Sequence, residues 1–262
     1  MDNHVKSRSA DFYEMPVLTL LFGSDEHPGG IPLTRELAGS ALVGCDDRVL
    51  DVACGRGESA RALTEHFGCR IVGIDYSEEN IHRANELTEN VGLSSRVQFV
   101  QGDAEQLPFA NDSFDVVICE CSLSTFPDLA LALTEMKRVL RPGGRLGISD
   151  VVLNQALPES LQDLVGHVLC ISGALPIDGY RDVLDKTGFS AIRTRDVSEV
   201  LGDMISRMER RIGVIENFLD REQFELANGL SASFSSISAA RDFVLSGGAG
   251  YALITGKKPI AN

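Results

Sequence analysis

Tryptophan is missing from the 262 residues, and basic side chains are scarce: 24 Lys and Arg stand against 38 Asp and Glu, a formal charge of −14. An acidic field of that size repels phosphate backbones and anionic lipid, which argues against a nucleic-acid partner and against membrane insertion. Long apolar runs are missing too. Stretches such as Val17–Phe22 fall far short of the roughly 20 residues that span a bilayer. The first fifteen residues carry no hydrophobic signal core, so the expected location is the cytoplasm. Six cysteines, at 45, 54, 69, 119, 121 and 170, form no CxxC pair, and five histidines add no zinc spacing. Neither a disulfide scaffold nor a metal centre is expected.

What remains is an ordinary globular composition, 44% hydrophobic and 24% charged. From residue 48 to 150 short apolar runs alternate with amphipathic stretches, the pattern of βα units around a parallel sheet. The runs are Arg48–Val52, Arg70–Ile74, Val97–Val100, Phe114–Cys119 and Gly144–Ser149. Four of them lead to an acid and a turn, at Asp51, Asp75, Asp103 and Asp150. Helices are expected at Glu58–Phe67, at Ser77–Asn90 with Ser77 as N-cap, and at Asp128–Leu140, where Pro142 should stop the helix and Gly143 and Gly144 turn the chain. Ahead of these, Leu33–Leu42 reads as a helix. Behind them come helices at Leu157–Gly173 and Asp178–Thr187, a strand Ser190–Val197, helices Ser198–Leu226 and Ser236–Leu245, and a strand Tyr251–Gly256. The expectation is one domain: a helical cap over 1–47, a cofactor-binding core over 48–155, and substrate-side insertions with the last strands over 156–262.

The strongest local signal is Val49-Leu50-Asp51-Val52-Ala53-Cys54-Gly55-Arg56-Gly57, a buried strand that ends in a carboxylate and a glycine turn. Gly55-x-Gly57-x-x-Ala60, with Asp75 about 20 residues on, also fits a dinucleotide fingerprint. The glycines alone therefore leave a nicotinamide-dependent oxidoreductase open. Asp51 points elsewhere, because a carboxylate beside the loop opposes a pyrophosphate and favours the ammonium and sulfonium of S-adenosylmethionine. Asp75 can accept from ribose hydroxyls, and Asp103 from the adenine amine.

The order LDVACGRG, GIDYS, GDAEQLPF, FDVVICECSLSTF and VLRPGGRLGISD resembles the class I S-adenosylmethionine-dependent methyltransferases over roughly residues 45–155. It is most similar to the small-molecule branch of the ubiquinone/menaquinone and arsenite methyltransferases, with Ala53 in place of the commoner first glycine. The resemblance implies a Rossmann-like, doubly wound α/β sheet of seven strands, mostly parallel with an antiparallel last strand. It also implies a small-molecule methyl acceptor. Carried over by position, Asp51, Gly55 and Gly57 would hold the methionine end and Asp75, with Tyr76 following it, the ribose. Asp103 and Ala104 would hold the adenine, and the Cys119 backbone the far side of the sulfonium.

For the acceptor, the candidates are Glu120, Cys121, His27, Cys170 and Tyr180. Strand alternation would put Cys119 and Cys121 on one side and Glu120 on the other. Cys121 and the Cys170-Ile171-Ser172-Gly173-Ala174-Leu175 run are similar to arsenite-methyltransferase segments, and two thiolates suit a soft centre. No cysteine follows Cys170, however, and none occurs in residues 1–44, where that family has others. The expected acceptor is a thiol or trivalent arsenic near these two cysteines. The alternative is a carbon or oxygen centre on a quinone-like or natural-product acceptor, with Glu120 or His27 as base. A cofactor-binding module without turnover is a further alternative. Met204, Met208 and Ile212, at four-residue steps, should face the core or a second copy of the chain in a homodimer.

Overall fold

The computed structural model describes residues 27–162, 170–218 and 233–260. Seven strands form its sheet: β1 (Arg48–Val52), β2 (Arg70–Asp75), β3 (Val97–Gln101), β4 (Phe114–Glu120), β5 (Leu140–Leu153), β6 (Ser190–Asp196) and β7 (Ala249–Lys257). The helices are α1 (Gly30–Ser40), α2 (Glu58–Phe67), α3 (Glu78–Asn90), α4 (Leu129–Val139), α5 (Ile177–Lys186), α6 (Glu199–Phe218) and α7 (Ser233–Leu245). The order across the sheet is β3-β2-β1-β4-β5-β7-β6. The first five strands pair in parallel, and β7 runs antiparallel to both β5 and β6. This is the expected mostly parallel sheet with an antiparallel last strand.

Strict alternation along the central strands creates two cores. Leu50, Val52, Val117, Cys119, Leu146 and Ile148 face α4 and α5, whereas Val49, Val116 and Ile118 face α1, α2 and α3. The second face continues over β5 and β7, where Leu33 and Leu37 of α1 meet Leu201, Ile205, Phe243 and Tyr251. Each fully buried aliphatic side chain in these layers contributes about 1.5–3 kcal/mol. Met204 and Met208 are buried as well, so this stripe of α6 packs on the chain's own core. The Ile212 side chain lies outside the described residues.

Ser77 caps α3 as expected, its hydroxyl accepting from the Asn80 N–H at 3.0 Å. Three expectations are corrected. Pro142, Gly143 and Gly144 do not turn the chain away from the sheet: β5 begins at Leu140, and the run is a bulge. Phe114 faces Leu140 while Val116 faces Arg145, and Gly143 takes φ +77°. Asp150 does not end a strand, since β5 continues to Leu153 with the Asp150 side chain fully buried. The stretch 157–173 is not one described helix either. Residues 163–169 lie outside the description, Glu159–Leu161 forms a single 3-10 turn, and Cys170 takes φ +58°. The parts of the expected cap before His27, and of the long helix beyond Phe218, also lie outside the described residues.

Candidate active site

The order in which strands are added to the sheet reverses between the parallel neighbours β1 and β4, because β1 is followed outward by β2 and β3 while β4 lies on its other side. Open α/β sheets bind ligands in the crevice at that switch point, beyond the carboxyl ends of the strands. The glycine loop sits there. Ala53, Gly55 and Gly57 all take left-handed backbone, at φ 58°, 52° and 73°. A Cβ on Gly57 would lie 2.3 Å from the Phe99 ring, so only glycine fits.

The loop's N–H groups decide which cofactor suits it. Cys54 donates to the Ile74 carbonyl at 3.0 Å, Gly57 to the Cys54 carbonyl at 2.9 Å, and Gly55 to Asp75 Oδ2 at 2.8 Å. These three donors point inward to protein acceptors rather than outward to a pyrophosphate. The sheet order, with its antiparallel β7, also departs from the 3-2-1-4-5-6 order of dinucleotide folds. Both observations weigh against the nicotinamide alternative.

Three carboxylates lie at the expected strand ends. Asp51 is buried near the end of β1. Asp75 closes β2 and accepts from the Gly55 N–H, the Ser77 N–H at 2.9 Å and Asn80 Nδ2 at 3.3 Å. Asp103 follows β3 and accepts from the Glu105 N–H at 2.9 Å, with the half-buried Ala104 beside it. The Tyr76 ring is 38% exposed next to Asp75. This set of acceptors suits a cationic cofactor that has ribose and adenine but no phosphate. Cys119 is fully buried, and burial followed by the charges of Asp150 and Asp51 pushes its thiol well above the ordinary range. Its side chain belongs to the core under α4 and α5.

Past Glu120 the chain leaves β geometry. Cys121 takes φ +51°, so it does not share a side with Cys119: Cys119 packs under α4 and α5, Cys121 against the core beneath α1, α6 and α7. That correction brings Cys121 to Cys170. Their sulfurs are 3.7 Å apart, and the Cys170 thiol donates to the Cys121 carbonyl at 2.9 Å. The neighbouring Cys170 thiol, then burial, push the Cys121 thiol well above its usual range, so it rests protonated.

A frame of buried polar groups supports the pair. Asp150 accepts from the Ser124 N–H at 2.9 Å, the Ser124 hydroxyl at 2.8 Å and the Val151 N–H at 2.7 Å, fixing the turn after Cys121. Burial raises the Asp150 carboxyl to about 6. The Tyr251 hydroxyl lies 3.2 Å from Ser149 Oγ and also reaches Cys121. Tyr180 is buried, donating to the Val151 carbonyl at 3.1 Å, and is a structural strut rather than an acceptor-site group.

Glu120 and His27 meet on the α1 side, through a residue the sequence reading did not select. Thr34 Oγ1 lies 3.0 Å from His27 Nε2 and 3.0 and 3.2 Å from the two Glu120 oxygens. His27, Thr34 and Glu120 are all buried. Asp150, Ser124 and Tyr251 were missed as well. A threonine on the buried stripe of α1 and an acid inside an apolar run were the available signals.

Residues 45–187 match the family described as a methyltransferase domain. The chain is 31% identical over 237 residues to the 27-O-demethylrifamycin SV methyltransferase of Amycolatopsis mediterranei, covering 87% of this chain and 83% of that protein. It is 34% identical over 151 residues to an arsenite methyltransferase of Halobacterium salinarum, a match spanning 56% of this chain and 38% of that protein. Among solved structures, the [4+2]-cyclase SpnF superposes with a TM-score of 0.82 at 23% identity, covering 98% of this chain and 97% of that one, a likeness of fold. Matched over more than half its length, with a glycine loop that turns its donors inward and acids at three strand ends, the chain belongs to the methyltransferase domain family, as a class I S-adenosylmethionine-dependent enzyme.

Proposed function

We propose that this enzyme methylates a small soft acceptor held near Cys121 and Cys170, either a trivalent arsenic species that the two thiols bind or a thiol that packs beside them. The observation that carries the reading is the 3.7 Å approach of two sulfurs supplied by separate segments. Asp51, Gly55 and Gly57 would hold the methionine end of the cofactor, Asp75 and Tyr76 the ribose, Asp103 and Ala104 the adenine, and the Cys119 backbone the far side of the sulfonium. When bound, S-adenosylmethionine supplies an electrophilic methyl group, so the chain's own task is mainly to position the acceptor. Two neutral thiols can condense with a trivalent arsenic hydroxide, forming two As–S bonds and releasing two waters without a base. The relationship to an arsenite methyltransferase supports this acceptor.

Release of S-adenosylhomocysteine from the full chain, given arsenite with excess thiol or thiol alone, tests the reading. Cys121→Ser and Cys170→Ser should each abolish release while leaving cofactor affinity intact. Full activity in both variants would make the pair a packing feature.

A second reading has its own observation. The buried His27–Thr34–Glu120 unit is built to take a proton, as methylation of a hydroxyl or amine requires. The rifamycin relative supports an oxygen acceptor of natural-product type. Release with a catechol and none with arsenite would select it.

A further inference from the structure

The geometry points to Thr34 as the proton bridge of the active site, joining Glu120 to His27 so that the two act as one base toward an acceptor that carries a proton on its reacting atom. The inference rests on the second reading, or on a free thiol as acceptor, and gives the base a residue that neither motif nor resemblance selected.

A count of hydrogens leads to it. His27 Nδ1 lies 3.1 Å from the Pro28 carbonyl, which can only accept, so Nδ1 carries a proton. His27 Nε2 then faces Thr34 Oγ1 at 3.0 Å, and the same hydroxyl faces Glu120 Oε1 at 3.0 Å. Thr34 owns one hydrogen. Once the unit has taken up one proton, Thr34 can give its hydrogen to Nε2 and receive one from a protonated Glu120, or give it to a carboxylate Glu120 and receive one from an imidazolium Nε2. These two arrangements differ only in which side of the hydroxyl each proton sits, and no heavy atom has to move. Ser59 Oγ at 3.3 Å and the Gly30 carbonyl at 3.4 Å pin the hydroxyl between helix α1 and the helix that follows the glycine loop. The direct His27 Nε2 to Glu120 Oε1 distance, 3.8 Å, is too long for a hydrogen bond, so the bridge is required.

The proton balance closes. An acceptor X–H gives its proton to a Glu120 oxygen, and the electron pair of the X–H bond stays on X, where the methyl group is received. Glu120 passes that proton to Thr34 Oγ1 while Thr34 passes its own to His27 Nε2. The unit ends as imidazolium, hydroxyl and carboxylate, with Glu120 again able to accept.

Thr34→Val keeps the shape and removes the bridge, and Thr34→Ser restores it. With catechol and dithiothreitol as probe acceptors, Thr34→Val should lower kcat roughly 10- to 100-fold, the range of a weakened general base, with KM for S-adenosylmethionine unchanged. Thr34→Ser should recover most of the rate. In the ¹⁵N-histidine spectrum of the full chain, assigned with His27→Gln, the His27 Nε2 signal should move in Thr34→Val and return in Thr34→Ser. An unchanged kcat in Thr34→Val, while the wild type turns over either probe, would overturn the bridge. A wild type active on arsenite alone would overturn the protic-acceptor reading and the bridge with it. Should no probe turn over, the imidazole spectrum decides: an Nε2 signal indifferent to Thr34→Val ends the proposal, and a shifted, serine-rescued signal supports it.

Discussion

Cys121 and Cys170 lie 49 residues apart in the chain, yet their sulfurs approach to 3.7 Å, and both residues sit in left-handed backbone at φ 51° and 58°. A non-glycine residue in that region costs roughly 1–2 kcal/mol, so two such positions at one contact need a frame that enforces them. Gly173 is part of that frame. A Cβ there would fall 1.9 Å from the Ser124 carbonyl oxygen, so the turn after Cys121 and the turn after Cys170 touch backbone to backbone.

Gly173→Ala should therefore push the two turns apart. The expected cost is about 1–3 kcal/mol in a urea melt, as for overpacking elsewhere, together with weakened uptake of phenylarsine oxide, which needs both thiols. An unchanged melt with undiminished uptake would mean that Gly173 does not set the sulfur distance.

Ala53 stands in left-handed backbone, where related loops carry glycine. Ala53→Gly removes a strain of about 1–2 kcal/mol and adds unfolded-state entropy worth roughly 0.5–1 kcal/mol. A net stabilisation of about 0.5–1 kcal/mol is expected in the denaturant midpoint. A lower midpoint would show that the alanine methyl makes packing contacts worth more than the strain.

Asp75→Ala should weaken S-adenosylmethionine binding by roughly 1.5–3 kcal/mol in calorimetry, through loss of charge-assisted hydrogen bonds. The same carboxylate accepts from Gly55 and Asn80, so loosening of the loop must be separated from lost ribose contacts. Asn80→Leu removes one internal partner without touching the crevice and should leave affinity almost unchanged. Equal affinity in Asp75→Ala and the wild type would remove the ribose assignment.

The Asp150 carboxyl sits at about 6 in the folded protein against 3.8 for an ordinary aspartate, because burial disfavours its charge. A raised folded value means that the native state holds the proton more tightly than the unfolded chain. The stability it contributes is complete below pH 3.8 and is lost as pH rises through 6. Between pH 7.5 and 5, the wild type should therefore gain on the order of 1 kcal/mol relative to Asp150→Asn, measured as the difference in urea midpoints. A difference that does not change with pH would refute the assigned burial effect.

Much of the sheet was legible because its strands are short apolar runs bounded by acids and glycines. The limits of β1 and α2 agree with the periodicity to the residue, since Val49, Leu50 and Val52 leave no polar position at which to start a helix. The bulge at Gly143 was not legible. Pro-Gly-Gly reads locally as a stop, and only pairing with β4 and β7 keeps those residues in register with the sheet. Asp150 was misread for a similar reason: an acid in an apolar run marks a strand end unless something buried satisfies it, and Ser124, 26 residues away, does so.

The sequence by itself determined the βα order, the glycine loop and the acids at the ends of the first three strands, because those features depend on spacing along one segment. Tertiary structure decided the rest. Left-handed backbone at Cys121 separated it from Cys119 and joined it to Cys170, and α1 carried Thr34 between His27 and Glu120. Both contacts form between segments distant in the chain, and such contacts depend on how whole elements pack rather than on any local preference.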